Sequence, residues 1–304
     1  MPAGIITRSA HPDALWPGVK AWFGMEYDKV PATWSKIFTK MSSNKFQERI
    51  AESTTFGLAP TKTEAAPIQY DSDQEGYVAI FQHAVYGLGY IVTREELEDN
   101  QYEEVSQARS GNLAWSMQTT AEYVHANVLN RGFSTQYPIG DGAALFSAAH
   151  PTQSGNQSNL LTAADFSEAA MEDATKAVWA IKNNRGFPIN AGVKRLIIPT
   201  NVAFNATRVL NSVLRSGTNN NDINALNAMG IVPDIVVNKY LSSSNAWYVQ
   251  TDVPNGLISM WRRQVELEKD NDFDTENAKA KATMRFACGA ADWRAIFGNA
   301  SASG

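Results

Sequence analysis

The sequence predicts an α+β protein with a sizeable core. Three observations predict this class: a hairpin pattern at residues 46–92, an unbroken helical pattern at residues 94–130, and an alternation of short strands and helices from residue 191 onward. The chain has 304 residues, enough for one large domain or two modest ones. Its 44% hydrophobic and 19% charged content excludes wholesale disorder.

Composition also excludes several classes of function. With 26 Lys+Arg against 31 Asp+Glu, the net charge of -5 offers no basis for tight binding of nucleic acid. A single cysteine permits neither an internal disulfide nor a cysteine-based metal site. No signal peptide is visible, and the longest uncharged stretch, residues 142–164, is too polar to span a bilayer. We therefore expect a soluble protein of a reducing compartment.

Residues 1–45 predict an irregular arm. Four prolines interrupt it, yet it carries the large apolar side chains Trp16, Trp22, Phe23 and Trp34. Because such a segment cannot form a core of its own, we expect it to lie on the body or on a neighbouring molecule.

Residues 46–92 predict a long β-hairpin. Its return strand, residues 76–86, is rich in β-branched and aromatic residues, and its outgoing strand covers about residues 46–58. The return strand would reach roughly 35 Å. A two-stranded ribbon of this kind is marginal alone in water, so it needs further packing.

The helical pattern that follows is unusually long. Thr93 and Glu96 form a capping box, and apolar residues recur at helical spacing as far as Asn130. A helix of this length would measure about 55 Å. A compact protein of this size is only about 50 Å across, so the helix predicts an elongated body or one that is not a simple globule.

The remainder of the chain alternates between helices and strands. A Gly, Ser, Asn and Pro-rich connection at residues 133–166 leads to a helix at 167–183 and later to a helix from Thr200 to Leu214. The predicted strands are residues 194–198, 235–237, 246–250, 257–260, 264–269 and 280–288.

A search for catalytic or metal-binding motifs finds little. The histidines show no metal spacing, the acidic run from Asp270 lacks the Gly and Glu of a calcium loop, and Gly87-Leu88-Gly89 lacks the third glycine of a dinucleotide site. An enzyme that uses Cys288 as nucleophile or His150 as base remains an alternative. So does a carbohydrate- or receptor-binding module, although the tryptophans are spread along the chain.

The arm, the ribbon and the long helix all favour assembly. Each would expose apolar surface or strand edges that burial against other copies would cover. The alternative is an elongated monomer whose arm and ribbon fold back on its own body.

Several long runs resemble the major head (capsid) subunit of Mu-like tailed bacteriophages. The resemblance extends from about residue 12 to residue 299, and none of its motifs is catalytic. The runs that carry it are residues 15–24 (LWPGVKAWFG), 86–95 (YGLGYIVTRE), 145–151 (LFSAAHP), 270–293 and 297–299.

This resemblance implies the HK97-type capsid fold. Residues 1–45 would be the N-arm and 46–92 the extended E-loop. Residues 93–190 and 258–299 would form the P domain, with its spine helix at 94–130. Residues 191–257 would form the mixed α/β A domain, and 300–304 a flexible tail.

The resemblance also implies a structural function rather than an enzymatic one. Hexamers and pentamers would form an icosahedral head around phage double-stranded DNA, which the shell would contact weakly and without sequence specificity. A portal protein, a maturation protease and, in some relatives, a decoration protein would be further partners, with assembly in the bacterial host cytoplasm. Because only about ninety residues precede the spine helix, we expect a separate scaffolding protein. No cofactor, metal or membrane is implied, and an encapsulin-type nanocompartment shell is the alternative use of the fold.

Inter-subunit contacts are expected from the arm, the E-loop and the start of the spine helix. Lys62 is the lysine nearest the E-loop tip, but nothing in the sequence identifies an asparagine acceptor, so we do not predict a covalent crosslink. The candidate contact residues are Trp16, Trp22, Phe23, Trp34, Lys62, Glu64, Tyr77, Phe81 and Arg94.

Overall fold

A computed structural model describes residues 17–29, 32–93, 95, 102–215, 222–271 and 277–300. The α-helices are α1 (Pro17–Lys29), α2 (Trp34–Ile37), α3 (Tyr102–Asn130), α4 (Glu168–Trp179), α5 (Ala203–Asn211) and α6 (Ala225–Ala228). The strands are β1 (Thr39–Ser42), β2 (Gln47–Ser53), β3 (Glu75–Gln82), β4 (Ala84–Val92), β5 (Val193–Ile198), β6 (Asp234–Val237), β7 (Trp247–Thr251), β8 (Leu257–Asn271), β9 (Ala278–Ala290) and β10 (Ile296–Asn299).

The chain packs into two compact units. The first unit consists of the described residues within Met1–Ala32, His83–Tyr123 and Trp261–Ala287. The second unit consists of the described residues within Thr33–Gln82, Val124–Met260 and Cys288–Gly304. Helix α3 and strands β8 and β9 contribute residues to both units.

In the first unit, strand β4 pairs antiparallel with β9. The register runs from Ala84 opposite Phe286 to Val92 opposite Ala278 without a shift. These strands belong to a four-stranded sheet of order β1-β8-β9-β4. Phe286 is fully buried and contacts Trp261 at a ring-centroid distance of 4.5 Å, which places aromatic packing at the centre of this unit.

Helix α3 has the amphipathic pattern that the sequence predicts. In its first-unit part, Leu113, Met117 and Ala121 are buried, while Trp115 and Tyr123 are more than half exposed. The buried residues are four apart, so they share one face of the helix. The helix ends at Asn130 as predicted, whereas the predicted capping residues 94 and 96 lie outside the described residues.

The second unit contains a mixed sheet of order β10-β7-β5-β6. Strand β6 pairs parallel with β5, and the other two pairings are antiparallel. The sheet buries Trp247, Val249, Leu196 and Ile198 in one core with Trp293. This mixed α/β sheet corresponds to the alternation predicted from residue 191 onward.

Two helices of this unit are shorter than predicted. Helix α4 begins where Ser167 Oγ accepts a hydrogen bond from the backbone N–H of Ala170, but it ends at Trp179 rather than Asn183. Helix α5 ends at Asn211 rather than Leu214. The amide of Asn224 donates to the carbonyl oxygens of Val209 and Ser212, which satisfies backbone groups at that end without a further turn.

The predicted hairpin is also shorter than residues 46–92. Strands β2 and β3 form a two-stranded antiparallel ribbon that ends with Gln47 opposite Gln82. After the buried His83, the chain changes partner, and β4 pairs with β9 instead. The β-rich sequence pattern is continuous through His83. It therefore predicts strand conformation on both sides of His83, but it does not show that the pairing partner changes there from β2 to β9.

A close approach in the second unit requires glycine at two positions. The ring of Phe146 lies so near Gly132 and Gly298 that an added Cβ would be 2.6 Å and 2.5 Å from ring atoms, respectively. Phe146 thereby joins the end of helix α3 to strand β10.

Candidate assembly surface

The β2–β3 ribbon buries one face and exposes the other. Ala79 and Phe81 are buried, whereas Ile80, between them, is 57% exposed. This alternation follows from the two-residue repeat of a strand. The ribbon therefore has apolar contacts to its own subunit on one side and an available surface on the other.

The end of the ribbon next to its loop is anchored to the C-terminal segment of the same unit. Tyr77 Oη donates a hydrogen bond to the carbonyl oxygen of Ala291 at 3.2 Å, and burial raises the pKa of Tyr77. Arg294 Nη1 donates to Glu52 Oε1 at 2.6 Å, with both side chains largely buried. These bonds hold β2 and β3 against the core.

The loop between β2 and β3, residues 54–74, is held in place by two aspartates. Asp71 accepts hydrogen bonds from the backbone N–H of Gly57 at 2.7 Å and from Arg185 Nη1 at 2.6 Å. Asp73 accepts from the hydroxyls of Ser53 and Thr54. These donors lower the pKa of both carboxyl groups, the Gly57 N–H most for Asp71 and the Ser53 hydroxyl most for Asp73.

Although its backbone is held, this loop exposes large apolar side chains. Four of them are more than 60% exposed: Phe56, Leu58, Ile68 and Tyr70. Tyr70 is 95% exposed. Exposed apolar residues that occur singly are ordinary, but four within fifteen residues of one ordered loop are typical of an interaction site. We name residues 54–74 the ribbon loop.

The nine predicted contact residues fall into different environments. Lys62 and Glu64 are exposed in the ribbon loop, and Tyr77 is half-buried. Phe23, Trp34 and Phe81 are each at most 6% exposed, so their side chains are covered by the subunit itself. Trp16 and Arg94 lie outside the described residues, as does the side chain of Trp22 in α1.

Trp34 shows why the arm residues are covered. Its indole stacks on the ring of His125 at a centroid distance of 4.4 Å, and Phe38 meets the same imidazole edge-on at 5.0 Å. His125 Nε2 lies 2.7 Å from Ser259 Oγ. This part of the arm therefore folds onto its own subunit, which is one of the two outcomes that the sequence left open for residues 1–45.

His150 is buried and fully hydrogen-bonded. Its Nδ1 lies 2.6 Å from Asp141 Oδ2, and its Nε2 lies 3.0 Å from Asn159 Oδ1. The two N–H groups of the Asn159 amide face three backbone carbonyl oxygens at 2.7–3.2 Å, which identifies Oδ1 as the acceptor atom. Both ring nitrogens of His150 are therefore engaged within the fold, and its side chain is fully buried, so it is not placed to meet a substrate.

Cys288 is no better suited to catalysis. Its thiol faces the carbonyl oxygen of Val124 at 3.7 Å, and burial raises its pKa to about 12. A nucleophilic cysteine needs a lowered pKa and access to substrate. Within the described ranges, no group of His, Cys, Asp or Glu side chains could hold a metal ion. In the same ranges, none of the helices combines the length and apolar character of a membrane span.

A protein-family model described as phage capsid protein matches residues 77–299, well over half of the chain. The chain belongs to this phage capsid protein family. The matched residues, 77–299, include the mixed sheet, helix α3 and the C-terminal strands. No curated protein matches the chain.

Solved structures show the same fold. The capsid of a native GTA particle is 13% identical, with a TM-score of 0.58 and coverage of 89% of this chain and 90% of that chain. The bacteriophage JBD30 procapsid chain is 13% identical, with a TM-score of 0.53 and coverage of 97% and 76%. A chain from Mycobacterium phage Che8 is 14% identical, with a TM-score of 0.52 and coverage of 89% and 91%. The fold is thus of the HK97 capsid type, and the chain is a capsid shell protein, a component of a virion.

Proposed function

We propose that this chain is the major capsid subunit of a Mu-like tailed phage, and that it assembles as hexamers and pentamers into an icosahedral head around double-stranded DNA. The observation that carries the proposal is the ribbon loop, which is ordered by Asp71 and Asp73 and yet exposes four large apolar side chains. An ordered apolar loop is suited to covering a neighbouring copy.

The energetics favour repetition of a modest contact. Complete burial of one exposed Leu or Phe side chain stabilises by about 1.5–3 kcal/mol. Four such side chains per subunit, offset by the cost of association, give a weak contact between two copies. In a closed shell every subunit makes and receives this contact, so the weak contacts add up.

The domain names of the fold are part of the proposal. Residues 1–45 are the N-arm, residues 46–82 the E-loop, and residues 191–257 the A domain. Residues 93–190 and 258–299 form the P domain around helix α3, and residues 83–92, which contain β4, are now added to it. The E-loop ends at Gln82 in this assignment, because β4 pairs with β9 and so belongs to the body of the protein.

Other proteins take part in assembly under this proposal. A separate scaffolding protein guides the subunits in the host cytoplasm, a maturation protease and a portal protein act on the growing head, and a decoration protein is an optional addition. The net charge of -5 favours weak contact with the packaged DNA, since a strongly basic wall would retain it.

Contacts at individual residues are also proposed. Lys62 and Glu64, exposed in the ribbon loop, are proposed to contact the neighbouring subunit together with the four apolar residues. Tyr77 contributes by anchoring the ribbon. Trp16, Trp22 and Arg94 remain candidates for arm and helix contacts.

The test is a matched pair of substitutions in the ribbon loop, followed by negative-stain electron microscopy and light scattering. Leu58→Asp and Ile68→Asp place charges where the contact is expected and should abolish particles. Leu58→Met and Ile68→Val keep the surface apolar and should assemble like the unmodified chain. Both side chains are exposed, so all four variants should fold with unchanged circular dichroism.

Several outcomes would contradict the proposal. A monodisperse 33.3 kDa monomer from the unmodified chain, even with scaffold supplied, would overturn it. Normal particles from both aspartate variants would exclude the ribbon loop as the contact. Native particles that contain a protein cargo and no DNA would indicate a nanocompartment instead of a phage head.

A further inference from the structure

Among the described residues, strand β4 lies at the edge of its sheet and lacks the features that usually protect such an edge. It is the last strand in the order of its sheet, and its pairing with β9 is regular over all nine residues, with no bulge. Its sequence, AVYGLGYIV, contains no charged residue and no proline. Natural proteins guard edge strands with lysine, proline, bulges or a covering element, because an unguarded edge pairs with other strands.

The strand also exposes apolar side chains on both faces. Val85, Leu88 and Ile91 are each more than half exposed. Side chains alternate along a strand, so Val85 and Ile91 point to one face of the sheet and Leu88 to the other. An apolar strand at an open edge is typical of recognition by strand addition, in which the backbones supply hydrogen bonds and the side chains supply specificity.

The sequence of β4 reads almost the same in both directions about Leu88. The residues equidistant from it are Gly87 and Gly89, Tyr86 and Tyr90, Val85 and Ile91, and Ala84 and Val92. When such a strand lies antiparallel to a copy of itself, similar residues face each other at every position. No charge faces a like charge, because the strand has none.

We propose that two copies of this chain pair their β4 strands antiparallel about a two-fold axis that passes between the two Leu88 residues. The two sheets then join into one across the axis, and each copy contributes the same surface, as an isologous contact requires. The glycines on either side of Leu88 let the two backbones approach closely. This inference rests on the proposed function, which brings identical copies together, and it names one of the contacts between them.

Cysteine substitution tests both the pairing and its register. Only a residue on the axis faces itself, so Leu88→Cys should form an intermolecular disulfide under mild oxidation, seen as a dimer on a non-reducing denaturing gel. Val85→Cys and Ile91→Cys should each remain monomeric alone and form dimers when co-expressed. All three positions are exposed, and the half-buried native Cys288 is common to every sample. The two glycines stay unchanged, since a Cβ on Gly89 would lie 2.8 Å from the Ala280 oxygen.

Particle formation is measured in the same samples by electron microscopy. A failure of the β4 pairing can then be distinguished from a failure of the proposed shell function. A Leu88→Cys dimer at least about tenfold above either single control supports the pairing. Particles without that dimer, or with equal dimer in the single controls, overturn the pairing and leave the shell function intact. A Leu88→Cys dimer in solution, with no particles from the unmodified chain, supports the pairing and overturns the shell. If neither the Leu88→Cys dimer nor particles form, the pairing and the shell function are both overturned. A disulfide between Leu88→Cys and a different protein overturns the pairing of two copies.

Discussion

Arg294 and Glu52 form an ion pair that joins the ribbon to the core. Arg294 Nη1 lies 2.6 Å from Glu52 Oε1, and the two side chains are 4% and 14% exposed. Arg294 also donates from Nε to the carbonyl oxygen of Lys182 and contacts Asp292. A charge this deeply buried is stabilised only by its partners, so the ribbon and the C-terminal segment depend on each other.

Replacement of Arg294 by methionine should strongly destabilise the subunit. The change leaves the Glu52 and Asp292 carboxyl groups near each other without a cation, and breaking a buried pair of this kind costs about 3–5 kcal/mol. Urea unfolding measures the loss. The control is Lys176→Met, whose pair with Asp173 is exposed to solvent and should therefore contribute little to stability. Equal effects for the two variants would show that the buried pair contributes little.

The ribbon loop should detach at acid pH. The Gly57 N–H, Arg185 and the Ser72 N–H lower the pKa of Asp71 below its usual 3.8, so the folded pKa is below the unfolded one. The stabilising contribution is therefore present above 3.8 and is lost as the pH falls through the folded value. Hydrogen exchange of residues 54–74, corrected for the intrinsic rate, should rise between about pH 5 and pH 2.

Substitution isolates the contribution of that carboxyl group. Asp71→Asn should give fast exchange of the ribbon loop already at neutral pH and remove most of the acid dependence. Asp173→Asn, in an exposed pair on helix α4, should change neither the exchange rate of the ribbon loop at neutral pH nor its acid dependence. An acid dependence that persists in full in Asp71→Asn would assign it to other groups, of which Asp73, with its lowered pKa, is the first to examine.

Cys288 should be inert in the folded subunit. Burial raises its pKa to about 12, so the reactive thiolate fraction at neutral pH is about a thousandfold below that of an ordinary thiol. Labelling with a thiol reagent should be slow in the native protein and fast in denaturant. Rapid native labelling would contradict this environment and would restore Cys288 as a candidate nucleophile.

Gly298→Ala should destabilise the second unit. The new Cβ would lie 2.5 Å from the ring of the buried Phe146, so either the ring or strand β10 must move, at a cost of about 1–3 kcal/mol. Gly24→Ala in helix α1 is the matched control, because no atom of the described part of the chain lies within 4 Å of its added Cβ. That control should stabilise by about 0.5–1 kcal/mol. Thermal unfolding should show a lower midpoint for Gly298→Ala and a higher midpoint for Gly24→Ala.

Local patterns in the sequence determined most elements of this protein. The four-residue spacing of Leu113, Met117 and Ala121 predicts the buried face of helix α3, and the serine at position 167 predicts where helix α4 begins. These features depend on residues close in the chain, so they can be deduced from the sequence. The resemblance of the longer runs led correctly to the capsid family and its fold.

The tertiary structure alone decided which partners those elements take. Residues 76–86 read as one strand, yet the chain leaves β2 for β9 at His83, and Trp34 and Phe81, expected at subunit contacts, are buried in their own subunit. Pairing and burial depend on residues far apart in the chain, such as Glu52 and Arg294, and no local pattern encodes them. The sequence by itself determined the elements and the family, while long-range packing decided which apolar residues are buried and which stay exposed.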